Sequence, residues 1–164
     1  MVELPESIRQ QFIDAGWHPG RSVAVPACVP AGHPACEVLA AYGGLIILER
    51  EPAEDWEPSQ ELVFRELNPC PKLTVVWGQL LQTRLVGIAS VDNDHGEFYI
   101  ASDGRCFGSS NMHDAFYFDG ETFAEAVEGM LLGRWSRPML RPDQQSVTLY
   151  GKRYTRTSPE LYHY

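Results

Sequence analysis

Residues 85–120 constrain the fold more than any other part of the chain. Leu85–Val91 and residues 97–101 are apolar runs of strand length, joined by Asp92-Asn93-Asp94-His95-Gly96. Asp, Asn and Gly tolerate the backbone angles that reverse a chain. Asp103-Gly104 adds a hairpin signal just before Arg105-Cys106-Phe107. The spacing therefore predicts a three-stranded antiparallel meander. Phe116-Tyr117-Phe118 follows as a short aromatic strand or a docking segment, and Asp119-Gly120 turns the chain again.

Helices flank this region. Residues 5–15 carry Pro5 and Glu6 where a helix start favours them, with Ile8, Phe12 and Ala15 on one face. Gly16-Trp17-His18-Pro19-Gly20-Arg21 ends that helix. Gly16 suits a left-handed helix end and Pro19 stops the helix resuming. Trp17 is too large for a tight turn to bury, so it is expected to dock on a core. With Arg21 as a fixed donor, the stretch reads as a latch and not as a catalytic loop. Val23 and Val25 alternate ahead of Pro26 and Pro30, as a short strand or an extended loop. Residues 33–42 form a second helix with Cys36, Leu39, Ala40 and Tyr42 inward, ended by Gly43-Gly44. Leu45-Ile46-Ile47-Leu48 is then a continuous apolar run, expected as a strand buried on both faces.

Residues 62–64 are a candidate strand. Residues 73–81 suit a short helix, against the β-branched run Thr74-Val75-Val76. Residues 122–132 place Phe123, Ala126, Val127, Met130 and Leu131 on one stripe, and Gly133 stands where a helix C-terminus favours glycine. Residues 134–145 bear Pro and Arg, and 147–155 suit a small hairpin. Helices mainly at the two ends with strands between them predict an α+β fold, a single domain with a mainly antiparallel sheet.

The length of 164 residues suits one domain, and no apolar run is long enough to span a bilayer. Met1 is followed by Glu3, Pro5 and Glu6, which is not a signal-peptide pattern, so cytoplasmic residence is expected. Cys28, Cys36, Cys70 and Cys106 contain no Cys-x-x-Cys pair and are expected as reduced thiols. The net charge of −9 is uneven: residues 1–132 hold seven basic and twenty acidic residues, and residues 133–164 hold six basic and two acidic. Phosphate contacts need Lys and Arg, so direct nucleic-acid binding by the body is disfavoured. An acidic surface suits a basic protein partner, although acidity also serves plain solubility.

Positive signs of catalysis are absent from the sequence. Asp92-x-Asp94-x-Gly96 resembles the start of a calcium loop, but the twelfth position is Asp103 and the intervening run reads as a strand. Cys28, His33 and Cys36 have no second pair at a zinc-like spacing. His113-Asp114 reads as a solvated loop pair. No cofactor or metal is expected. The acidic segment is a better candidate for contact: Glu51, Glu54, Asp55, Trp56, Glu57 and Glu61 surround one large aromatic. Trp56 is either an interface anchor or folded back on the domain.

Four motifs in order resemble the SUKH superfamily, specifically its third subfamily of immunity-like proteins. They are Gly16-Trp17-His18-Pro19-Gly20-Arg21, the helix ending in Gly43-Gly44-Leu45, the strand pair from Gly87-Ile88-Ala89 to Gly96-Glu97-Phe98-Tyr99, and Phe123-Ala124-Glu125-Ala126 through Gly133. The resemblance implies a SUKH-like domain over residues 1–133, with Gly16, Trp17, Arg21, Gly43, Gly44 and Leu45 as fold residues. Residues 134–164 become a basic extension packed on the same domain. It further implies a non-enzymatic bacterial protein that binds and neutralises a cognate toxin, often a nuclease or another nucleic-acid-targeting enzyme; the sequence leaves the oligomeric state open, with a monomer favoured. The alternatives are an intracellular scaffold or regulatory module on the same fold and, third, a metal-dependent enzyme using His113, Asp114, Asp92 and Asp94.

Overall fold

The computed structural model describes residues 3–48, 53–57, 59, 61–67 and 71–164. The meander is the middle of a seven-stranded antiparallel sheet whose spatial order follows the chain. The strands are β1 (Ile46–Leu48), β2 (Glu61–Phe64), β3 (Leu85–Val91), β4 (Gly96–Ala101), β5 (Cys106–Ser110), β6 (Ala115–Gly120) and β7 (Arg137–Met139). Tyr99 pairs with Phe107, and Phe107 with Phe118. Side-chain alternation along these strands sorts the core into two layers. Phe98, Ile100 and Cys106 face one side; Tyr99, Phe107, Phe116 and Phe118 face the other.

Helices α1 (Glu6–Asp14), α2 (Pro34–Tyr42) and α4 (Phe123–Leu132) supply Phe12, Tyr42, Phe123 and Leu131 to the first layer. Helix α3 (Pro71–Leu80) covers the second layer, where Trp77 is buried and stacks on Phe116 at 4.6 Å. An α+β architecture follows directly from this arrangement. A second, two-stranded sheet, β8 (Ser146–Leu149) with β9 (Lys152–Thr155), closes through Tyr150-Gly151. Both turn residues have positive φ, 54° and 67°, the geometry of a tight hairpin turn. Val147, Leu149 and Tyr154 pack with Ala115 of β6.

The first turn is a built latch. Gly16 N–H donates to the Ile13 carbonyl at 2.9 Å and Trp17 N–H to the Phe12 carbonyl at 2.8 Å, the paired bonds that close a helix C-terminus. Trp17 is half-buried and lies 6.3 Å from the Tyr42 ring. Arg21 reaches across to the end of α2, donating from Nη1 to the Ala41 carbonyl and from Nη2 to the Gly43 carbonyl, both at 2.7 Å. At the other end of α2, His33 Nδ1 accepts from Ala35 N–H, so Nε2 carries the proton given to the Arg84 carbonyl. Residues 22–30 take the extended-loop form, tied by Val23 N–H to the Ala40 carbonyl.

Two expectations fail here. The Leu45–Leu48 run is not buried on both faces: Ile47 is fully buried, while Ile46 and Leu48 are 52% and 60% exposed. β1 is an edge strand. Helix α1 covers one of its faces, but α3, the helix of the opposite layer, packs on β3 instead. The inner face of α2 is also shifted. Ala35, Val38, Leu39 and Tyr42 are its buried residues, whereas Cys36 and Ala40 are only half-buried. Starting the period at Ala35 gives the i, i+3, i+4, i+7 stripe that a helix needs. Cys28, Cys36 and Cys106 are free thiols; Cys70 lies outside the described residues. Among the described residues no helix is long and apolar enough to cross a membrane.

Candidate interaction site

The last turn of a helix leaves carbonyls without internal donors. In α4 the acidic segment supplies them. Glu54 N–H donates to the Leu132 carbonyl at 2.8 Å, Asp55 and Trp56 N–H to the Gly133 carbonyl at 3.0 and 2.9 Å, and Ser59 N–H to the Met130 carbonyl at 3.1 Å. Gly133 makes this possible by turning left-handed, with φ 68°. Carboxylates at the negative end of a helix repel its dipole. Arg134 offsets that: its Nε donates to Glu54 Oε2 and its Nη1 to Glu128 Oε2, each at 2.7 Å. The guanidinium holds the Glu54 carboxyl below its ordinary range. Asp55 Oδ2 accepts from Trp135 N–H at 3.3 Å.

Next to this strap lies an aromatic cluster. Tyr150 stands between two tryptophans: Trp56 meets it edge-on at 5.6 Å, and Trp135 stacks on it at 6.1 Å. Both tryptophans are exposed, at 44% and 53%. Below them runs a polar chain. Ser136 N–H donates to Tyr150 Oη at 2.8 Å, and Ser136 Oγ donates to Asp119 Oδ1 at 2.5 Å. The other oxygen, Asp119 Oδ2, has no solvent contact and no hydrogen-bond partner among the described residues. Crowding by protein atoms pushes the Asp119 carboxyl up to about 7, opposed by the Ser136 bond. Burial likewise pushes the Tyr150 phenol up to about 12. Cavities of about 150 and 130 Å³ flank this place, and Asp119, Arg134 and Ser136 line both. The Tyr117 ring forms part of the floor. It lies across Gly108, where a Cβ would stand 2.1 Å from Tyr117 Cε2.

The family model of the SUKH-3 immunity protein matches residues 4–133. The chain belongs to the SUKH-3 immunity protein family. No curated protein and no solved structure matches it. The SUKH-3 match contains Trp56 and Asp119; Trp135, Ser136 and Tyr150 follow it. The segment beyond the match nevertheless joins the SUKH-3 sheet, because β7 pairs with β6 through Phe116↔Met139 and Phe118↔Arg137.

Of the residues singled out from the acidic segment, Glu54, Asp55, Trp56 and Glu57 gather at the end of α4, and Glu57 lines the smaller cavity with Trp56. Glu61 does not join them. It opens β2, pairs with Leu48, and its carbonyl accepts from Asp92 N–H. Glu51 lies outside the described residues. Trp56 rests edge-on against Tyr150 and stays exposed. Of the fold residues, Leu45 is buried, and Gly44 N–H donates to the Phe64 carbonyl at 2.8 Å, tying α2 to β2.

Asp119, Trp135 and Tyr150 were not legible as a site. Asp119-Gly120 looks like a turn, and the tryptophan and tyrosine sit in an irregular tail. Their one signal is parity: residues 115, 117 and 119 share a face of β6. Of the residues of the enzyme reading, Asp92 lines the smaller cavity, while Asp94 and Asp114 are held in ion pairs. Asp94 pairs with Arg65 at 2.6 Å, and Asp114 with Arg141 at 2.7 Å. A wider concavity, about 940 Å³, is an open groove along α3. Its charged lining groups are Arg84 and Asp103, and Asp103 is bound by Arg105.

Proposed function

We propose that this protein binds and neutralises a cognate bacterial toxin, as a non-catalytic cytoplasmic immunity protein. The observation that carries this reading is the acidic strap over α4, which holds two exposed tryptophans on one surface. Family membership supports an immunity role. Exposed tryptophans with backbone already bonded lose little freedom on binding, which is what an interface anchor requires. The surrounding carboxylates favour a basic toxin, as expected of a nuclease or another enzyme that grips phosphate.

The test is co-expression with the toxin domain encoded beside this protein's gene. The two should co-purify, and growth should be restored. Replacing Trp56 and Trp135 together with Ala should weaken the complex at least tenfold while the fold persists. A neighbouring toxin that neither binds nor is neutralised would overturn this reading in favour of a scaffold or regulatory module.

A further inference from the structure

We propose that the smaller cavity, between Trp56, Tyr150 and Asp119, is a receptor for one arginine side chain of the toxin. This inference deepens the proposed function and rests on it. Three independent features lead to it.

The first is the acceptor. Asp119 Oδ1 is held by Ser136, while Oδ2 has neither water access nor a donor among the described residues. A buried carboxylate oxygen without a donor is costly to a protein. The nearest cation does not relieve it, since Arg134 is committed to Glu54 and Glu128.

The second is the aromatic rim. Trp56, Tyr150 and Trp135 form a continuous set of rings, and the outer two are exposed. Indole faces attract cations, and a planar guanidinium also stacks on them. An ammonium gains only the first effect.

The third is charge. Glu57 and Asp92 line the smaller cavity and Glu125 the larger, with Arg134 as the one basic group among the described residues lining either. An incoming guanidinium would stack against Trp56 with its stem on the rim, beside Tyr150. Its N–H groups would be directed at Asp119, through a shift of the Ser136 side chain that opens the carboxylate.

The probe is n-butylguanidinium chloride at fixed ionic strength, followed through the indole N–H signals of the intact protein. The four tryptophans are Trp17, Trp56, Trp77 and Trp135. Trp56 should shift saturably at millimolar probe while Trp17 and Trp77 stay in place. At pH 8, Asp119→Asn keeps the oxygen that Ser136 bonds but removes the charge, and should weaken binding about tenfold, or 1.4 kcal/mol. Unchanged affinity in that variant overturns the proposal. So does tighter binding of n-butylammonium, an equal response to neutral n-butanol, or uniform shifts at all four indoles. Probe failure with toxin binding intact sinks only the arginine receptor. A protein that takes up the probe but never holds the toxin sinks the immunity reading.

Discussion

Arg134 Nε donates to Glu54 Oε2 at 2.7 Å, joining residues 80 positions apart. The bond pins the acidic strap at the end of α4, where four backbone N–H groups feed the helix carbonyls. Arg134→Ala leaves Glu54 facing the negative helix end without compensation. Amide exchange at Glu54, Asp55 and Trp56 should become several-fold faster, with little change in the β4 and β5 amides. Equal acceleration everywhere would show instead that Arg134 supports the whole fold.

Arg21 closes α2 from outside by donating to Ala41 and Gly43. Hydrogen bonds from a charged donor are worth about 1.5 to 3 kcal/mol each, and part of that returns through water. Arg21→Ala should therefore cost about 2 kcal/mol in urea unfolding. Arg21→Lys should recover only part of it, because one ammonium does not span both carbonyls with the same fork.

Gly108 is required by its neighbour. Gly108→Ala would set a Cβ 2.1 Å from Tyr117 Cε2 and 2.8 Å from Asp119 Oδ2. Overpacking of this kind costs about 1 to 3 kcal/mol. Adding Tyr117→Ala removes the clash with the ring, the closer of the two contacts, so the double variant should be less destabilised than the sum of the two single ones. Strict additivity in chemical denaturation would refute the contact.

Asp119 sets a pH dependence with a definite sign. Its folded carboxyl is raised to about 7 from an ordinary 3.8. The folded state therefore holds a proton that the unfolded state has lost. The contribution of Asp119 is fully favourable below about pH 4, declines as pH rises toward 7, and is flat above. Glu54 and Asp114, lowered by Arg134 and Arg141, act oppositely, and their stabilisation fades as pH falls below the ordinary carboxylate range. Between pH 5 and 8 the stability of the wild type should fall relative to Asp119→Asn. Parallel curves from urea titrations would disprove the raised carboxyl.

The edge strand offers a direct contrast. Leu48→Thr changes an exposed side chain and should stay within about 0.5 kcal/mol of wild type. Ile47→Ala empties a fully buried site one residue away and should cost about 2 to 4 kcal/mol. Thermal melts of the two variants measure both.

What the sequence by itself determined is local. Asp92 to Gly96 and Asp103-Gly104 turn the chain tightly enough to dictate antiparallel neighbours, and the Phe123 to Leu131 stripe with Gly133 dictates a helix and its end. These follow from backbone sterics and side-chain period, which act within a few residues. The tertiary structure decided what covers each face and which distant groups meet. Leu45–Leu48 reads as a doubly buried strand, because an apolar run does not reveal whether a second layer reaches it. The acidic residues were legible as a segment, but their role as donors to α4 was not. The cluster of Trp56, Asp119, Trp135 and Tyr150 joins four separated pieces of chain. Only the closing of the sheet by β6 and β7, with the hairpin packed on both of them, brings them together.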